Sequence, residues 1–174
     1  MENLKKLIRE VPDFPKPGIN FKDISTLVGN AEAFRDVVNS MMLSAADLNV
    51  DLIAGIESRG FIFGAAMAEK MGVGFVPVRK PGKLPYKTIS ASYALEYGEN
   101  TLHMHTDAIQ TGQRVLIVDD LLATGGTVGA TCALVEKLGG KVAGISVVIE
   151  LSFLGARQKL APHKILSLVD YSGE

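Results

Sequence analysis

Two adjacent carboxylates, Asp119 and Asp120, end an unbroken apolar run, Val115-Leu116-Ile117-Val118. Leu121 and Leu122 follow, then the small-residue loop Ala123-Thr124-Gly125-Gly126-Thr127, inside which a helical pattern begins. Carboxylates accept hydrogen bonds from hydroxyls and attract a hydrated Mg²⁺. A loop of small residues that opens a helix presents backbone N–H groups to a phosphate, and the helix dipole favours the same negative charge. A lone Asp pair would do no more than cap a helix. The whole run is more specific and describes a site for a phosphorylated sugar.

The other phosphate signatures do not fit. No G-x-x-x-x-G-K-[ST] run is present. Gly72-Val73-Gly74 opens like a dinucleotide-binding pattern, but Pro77 stands where its third glycine belongs.

The elements that must position the motif can be read from periodicity. Leu4, Leu7, Ile8 and Val11 recur at helical spacing and predict a short first helix ended by Pro12. Asp13 to Gly18, with two prolines, reads as an extended arm with a turn. Asn30 is placed to cap a helix whose apolar stripe is Phe34, Val37, Val38, Met41, Met42 and Ala45. Leu52–Ile56 predicts a buried strand, Gly60–Met71 a helix and Phe75–Val78 the next strand. Lys80–Lys87 reads as a mobile surface loop. Alternation over Ser90–Tyr97 and Thr101–Thr106 predicts a hairpin turning at Gly98-Glu99-Asn100. Arg114–Val118 is the strand that enters the motif, Gly126–Leu138 the helix after it, and Gly139-Gly140 its end. Val142–Ile149 and Ile165–Val169 are two further strands. Alternating strands and helices imply an α/β fold, with a mainly parallel twisted sheet flanked by helices and a small hairpin beside it. Ligands bind beyond the carboxyl ends of such strands, where the Asp pair falls.

With 174 residues, the chain fits one domain. A net charge of −1 provides no global field to recruit nucleic acid or an anionic membrane. No apolar stretch reaches bilayer-spanning length, and residues 1–10 lack the features of a signal peptide. Cys132 is the only cysteine, so no intramolecular disulfide can form, and a cytoplasmic setting is expected. His103 and His105 share one strand face but lack an apparent third ligand, so they and His163 read as polar surface positions rather than a metal site.

The phosphosugar run resembles the signature of the type I phosphoribosyltransferases, which binds 5-phosphoribosyl-1-pyrophosphate (PRPP). Further segments are similar to the adenine-specific branch of that family and cover nearly the whole chain. They are Val11-Pro12-Asp13-Phe14-Pro15 with Gly18 to Ile24, Gly55 to Phe61, Arg79 to Pro85 and Tyr93 to Gly98. The resemblance implies transfer of phosphoribosyl from PRPP to adenine, giving AMP and pyrophosphate. A related enzyme for another base and a non-catalytic PRPP-sensing regulator are the alternatives. No basic recognition helix is left over to serve the second.

Site roles follow from the same resemblance. Asp119 and Asp120 would face the ribose hydroxyls, while Ala123, Thr124, Gly125, Gly126 and Thr127 wrap the 5-phosphate. Glu57-Ser58-Arg59 would form the pyrophosphate loop, often built on an unusual cis peptide in this family, with Arg59 also catalytic. Arg79, Lys80 and Lys83 would add a second pyrophosphate contact, donated across a homodimer interface. The hairpin would be a hood carrying Glu96 to purine N7 and N9, with Tyr97 pointing the other way along the strand. Ile19, Phe21, Lys22 and Leu151 would form the adenine site: Phe21 and Leu151 would sandwich the base, and backbone groups of Ile19 to Phe21 would select it. Lys22 stands where the family usually has Arg, which keeps the charge and loses the planar fork. Mg²⁺ would come with PRPP and its waters rather than in a protein cage.

Overall fold

In a computed structural model of the chain, residues 2–94 and 99–173 are described. Five strands, β3 (Leu52–Ile56), β4 (Gly74–Val78), β7 (Arg114–Leu122), β8 (Lys141–Leu151) and β9 (Ile165–Tyr171), form one parallel sheet ordered β4-β3-β7-β8-β9. Two antiparallel pairs stand apart from it: β1 (Arg9–Val11) with β2 (Phe21–Asp23), and β5 (Thr88–Ala94) with β6 (Glu99–His105). One isolated bridge, Arg79 to His103, ties the second pair to the body.

The sheet is buried on both faces, so the runs Leu52–Ile56 and Val115–Val118 of its central strands are apolar without alternation. Along β7, Val115 and Ile117 enter one core with Val128, Leu134 and Val135 of α5 (Gly126–Lys137). Leu116 and Val118 enter the other, with Val37, Val38 and Met41 of α3 (Ala31–Ser44) and Phe63 and Met67 of α4 (Gly60–Met71). Pro77 lies on edge strand β4, where a missing N–H costs the sheet least. Asn30 caps α3 as its type predicts, its Oδ1 accepting from the Ala33 amide at 3.0 Å.

The structure corrects several boundaries. Helix α1 covers only Glu2–Lys5, and Val11 belongs to β1, paired with Phe21. The spacing of Leu7, Ile8 and Val11 suits a helix, but the arm folds back on this segment and pairs with it. Glu99 and Asn100 are not in a turn; they begin β6, with Glu99 opposite Ala94. β7 runs four residues past Val118, so both aspartates are strand residues. β8 and β9 are also longer than their apolar runs, because polar ends still have pairing partners. The short helices α2 (Ser25–Val28) and α6 (Ala156–Lys159) carry too few residues to show a period.

Chain order reverses between β3 and β7: β3 leads outward to β4, and β7 leads the opposite way to β8 and β9. The crevice beyond the carboxyl ends of β3 and β7 is therefore the topological switch point, where sheets of this kind bind ligands. Helix α4 starts at that edge with no space for a side chain. A β-carbon on Gly60 would lie 2.7 Å from the Val118 carbonyl oxygen and 3.0 Å from Asp119 Cα. These are backbone neighbours that cannot rotate away, so Gly60→Ala should lower Tm by about 3–9 °C, measured by scanning calorimetry.

Candidate active site

Two loops meet at the switch point. The loop after β3 carries Glu57, Ser58 and Arg59, with a cis peptide between Glu57 and Ser58. The loop after β7 carries Ala123, Thr124 and Gly125. Both lead directly into helices that have no side-chain N-cap, in contrast to α3. In α4 the Phe61 and Ile62 amides already donate to the Ser58 and Arg59 carbonyls at 3.3 and 3.2 Å, while both helix dipoles point their positive ends at the crevice and favour an anion there.

Gly125 is left-handed, at φ +82°, and forms the N-cap position of α5. A cavity of about 210 Å³ is lined by Asp119 and residues 121–128, so the whole small-residue loop faces it. The loop is held from outside. Ala156 and Leu160 press on Gly125, each 3.3 Å from where its β-carbon would be. Their segment is fixed by Arg157, whose Nε and Nη2 donate to the two carboxylate oxygens of buried Glu150 at 2.7 and 2.6 Å. Burial works to raise the Glu150 carboxyl, but Arg157 and Ser167 hold it below its ordinary range. On the inner side, the Tyr93 ring of β5 lies over Gly126, 2.8 Å from where a β-carbon would be.

Asp120 is buried, and Arg59 Nε lies 2.9 Å from its Oδ2. No N–H among the described residues is aimed at that oxygen, so the contact is an ion pair without a hydrogen bond. Asp119 Oδ1 accepts from the Asp120 amide at 2.9 Å. Burial, and then the Asp120 charge, push the Asp119 carboxyl well above the usual carboxylate range. Burial also raises Asp120, with Arg59 pulling the other way.

Arg59 also reaches the β1–β2 flap. Its Nη1 donates to the Lys22 carbonyl at 3.3 Å, and its guanidinium lies 4.9 Å from the Phe21 ring centre. Phe14 packs edge-on against Phe21 at 5.2 Å. Phe21 is therefore brought to the crevice. Lys22 is not: it is buried on the other side of the strand, with Nζ 3.0 Å from Glu10 Oε1 and 4.3 Å from the Tyr171 ring centre. Only its carbonyl faces Arg59. Ile19 is exposed, and its amide is already donated to the Lys16 carbonyl at 3.3 Å, which removes one of the backbone groups expected to select a base. Leu151 ends β8, in register with Tyr171.

Glu57 does not extend toward an anion. Its Oε2 accepts from Arg79 Nε at 2.9 Å and from the Lys80 amide at 3.1 Å. Arg79 also donates to the Lys83 carbonyl at 3.0 Å, so Glu57 shapes the basic loop by orienting Arg79. Lys80 and Lys83 are exposed. Glu96 and Tyr97 lie outside the described residues. Among the described residues, no group of three or more His, Cys, Asp or Glu could hold a metal ion. His103 Nδ1 pairs with Thr88 Oγ1 at 2.9 Å. Burial pushes the Cys132 thiol up to about 12, which makes it an inert core residue. A larger apolar groove, lined by Asn39, Met42, Leu43, Ala46 and Met71, shares no residue with the site and offers no charged group for chemistry.

Sequence reasoning missed Tyr171, Glu150, Arg157 and the α6 segment that supports Gly125. Each acts through a partner distant in sequence, so none leaves a local signal.

Comparisons with known proteins bear on the family and the fold. Residues 27–167 match the family model described as phosphoribosyl transferase domain. The adenine phosphoribosyltransferase of Symbiobacterium thermophilum is 55% identical over 169 residues, covering 97% of this chain and 99% of that protein. The crystal structure of adenine phosphoribosyltransferase from Thermoanaerobacter pseudethanolicus superposes with a TM-score of 0.96 at 53% identity, covering 98% of this chain and 99% of that one. The Saccharomyces cerevisiae enzyme, solved with an iminoaltritol bisphosphate and adenine, gives a TM-score of 0.91 at 39% identity, covering 96% and 97%.

The Asp pair sets a testable conflict between folding and binding. A carboxylate whose folded pKa is raised binds its proton more tightly when folded. It therefore costs stability as pH rises from the unfolded value toward the folded one. Asp119→Asn removes that cost and should raise the ligand-free Tm by about 2–5 °C at pH 8. The gain should shrink as pH falls through about 4 and vanish below it, where the wild-type side chain is protonated in both states. Thermal melts across pH check the sign.

Proposed function

The chain belongs to the phosphoribosyl transferase family and, within it, to the adenine phosphoribosyltransferases, and from that premise we propose roles for its site residues. The enzyme transfers the 5-phosphoribosyl group of PRPP to adenine, giving AMP and pyrophosphate. The observation that carries our assignment is the meeting of two uncapped helix N-termini and a buried Asp pair at one sheet edge.

In this reading the loop 123–127 and the first amides of α5 hold the 5-phosphate. Asp119 and Asp120 take the two ribose hydroxyls. The Glu57-Ser58-Arg59 loop and the start of α4 hold pyrophosphate, with Arg79, Lys80 and Lys83 closing over it. The bond from C1 to pyrophosphate breaks as positive charge builds on C1 and the ring oxygen. Donors aimed at the leaving anion therefore matter more than any covalent nucleophile. Adenine N9 bonds to C1 and its proton departs. Glu96, from the hood spanning 80–106, receives or screens that proton. Phe21 and Leu151 flank the purine.

The donor set fits a Mg²⁺ ion that arrives with PRPP: two adjoining hard-oxygen ligands, both raised by burial, gain from a nearby cation. Asp119 and Asp120 would hold it through its waters, and it would neutralise charge on the pyrophosphate. We further propose one catalytic domain working as a cytoplasmic homodimer, whose exposed basic loop 80–87 reaches the partner's site. Among the described residues, no helix is long and apolar enough to cross a membrane.

Turnover of a base panel with PRPP and Mg²⁺ tests the reading. Adenine should exceed hypoxanthine, guanine and xanthine in kcat/KM by about 10³-fold or more, as expected of a site built to pair with substrate polar groups. Glu96→Ala should lower kcat by about 10²-fold with little change in KM for adenine. An unchanged kcat removes Glu96 from the mechanism.

A further inference from the structure

The β1–β2 flap carries Phe21 yet shares no strand pairing with the main sheet. Ile8 and Ile24, at its outer ends, are buried in the core beneath α3. The middle of the flap is tied by polar and aromatic contacts on both sides. On the crevice side they are the Arg59 contacts to Phe21 and the Lys22 carbonyl.

On the opposite side everything converges on Tyr171, the last residue of β9. Lys22 Nζ sits 4.3 Å from its ring centre and Lys5 Nζ 4.8 Å, so two ammonium groups share one aromatic ring. Lys22 also pairs with Glu10 at 3.0 Å, and Asn20 Nδ2 donates to the other Glu10 oxygen at 2.8 Å. Burial, together with the Glu10 charge, disfavours ionisation of the phenol, so the ring meets the ammonium groups as a neutral quadrupole. The Tyr171 hydroxyl is buried and has no hydrogen-bond partner among the described residues. The ring, not the hydroxyl, therefore does the holding. Tyr171 is also in register with Leu151 on the neighbouring strand.

We infer that Tyr171 is a positioning residue for the adenine subsite: its ring clamps the strand that presents Phe21, through Lys22, and stands beside Leu151. The inference rests on the reading of Phe21 and Leu151 as the purine walls. Tyr171 touches no substrate. It acts by keeping two walls, borne on elements that are not paired with each other, at a fixed separation.

The test separates ring from hydroxyl and positioning from folding. Tyr171→Phe keeps the ring and should leave KM for adenine within about twofold of wild type. Tyr171→Leu removes the quadrupole and should raise that KM about tenfold, with kcat and KM for PRPP changed by less than about threefold. A merely structural loss would lower Tm and active fraction without splitting the two KM values. If Tyr171→Leu does not fold, Lys22→Met with Glu10→Gln removes both charges together and carries the same expectation. Phe21→Ala is the reference. If it raises KM for adenine while Tyr171→Leu or the charge-free pair does not, the clamp is refuted and the purine walls stand. If Phe21→Ala changes nothing, the wall assignment falls, and the clamp with it. Equal defects in Tyr171→Phe and Tyr171→Leu would put the function in the hydroxyl and overturn the inference.

Discussion

One guanidinium connects the three segments that form the crevice. Arg59 follows β3, pairs with Asp120 on β7, and reaches the flap through the Lys22 carbonyl and the Phe21 ring. Without it Asp120 would be a buried charge with no counter-ion, an arrangement that costs several kcal/mol by order of magnitude. The strand order makes the meeting possible, because only at the reversal between β3 and β7 do two carboxyl ends open on the same space. The electrostatics there are unbalanced within the chain itself. Two aspartates are pushed toward protonation beside two helix N-termini and a basic loop. In the proposed reading, a phosphorylated sugar with a polyanionic leaving group would bring negative charge to the helices and hydroxyl donors to the carboxylates.

Support for this edge comes from ordinary packing. The two apolar cores on either side of β7 hold the strands to their register, and that register sets where Asp119 and Asp120 emerge. Further out, buried Glu150 and exposed Arg157 tie the α6 segment against Gly125, so the loop at 123–127 is shaped by an ion pair that never touches it. Rigid elements carry the anion-binding groups, and the flap and the hairpin, each outside the main sheet, carry the groups assigned to the base.

Much of this was legible in the residues. The apolar run before Asp119, the Asn30 cap, the extent of α4 and the glycine-rich start of α5 all report local physics, and local physics is what a single sequence expresses. The parallel sheet followed from alternating strands and helices. The failures share a cause. Val11 pairs with Phe21 across a turn, Glu99 pairs with Ala94, and both aspartates remain in β7 because β8 continues beside them. Each was decided by a partner elsewhere in the chain. In the site the same rule held for Lys22, which its place beside Phe21 grouped with the adenine site. Strand alternation turned it to Glu10 and Tyr171. Glu57 was grouped with anion-binding residues by its place in the loop, yet as a carboxylate it does better holding Arg79.

The Tyr93 ring occupies the place where a β-carbon on Gly126 would sit. Positions 93 and 126 are therefore not free to drift independently over generations. A lineage that places any side chain at 126 must first shrink or reorient the aromatic at 93. A lineage that loses the aromatic first leaves an unfilled space over the helix start. The two sites, thirty-three residues apart in the chain, are expected to change together or not at all.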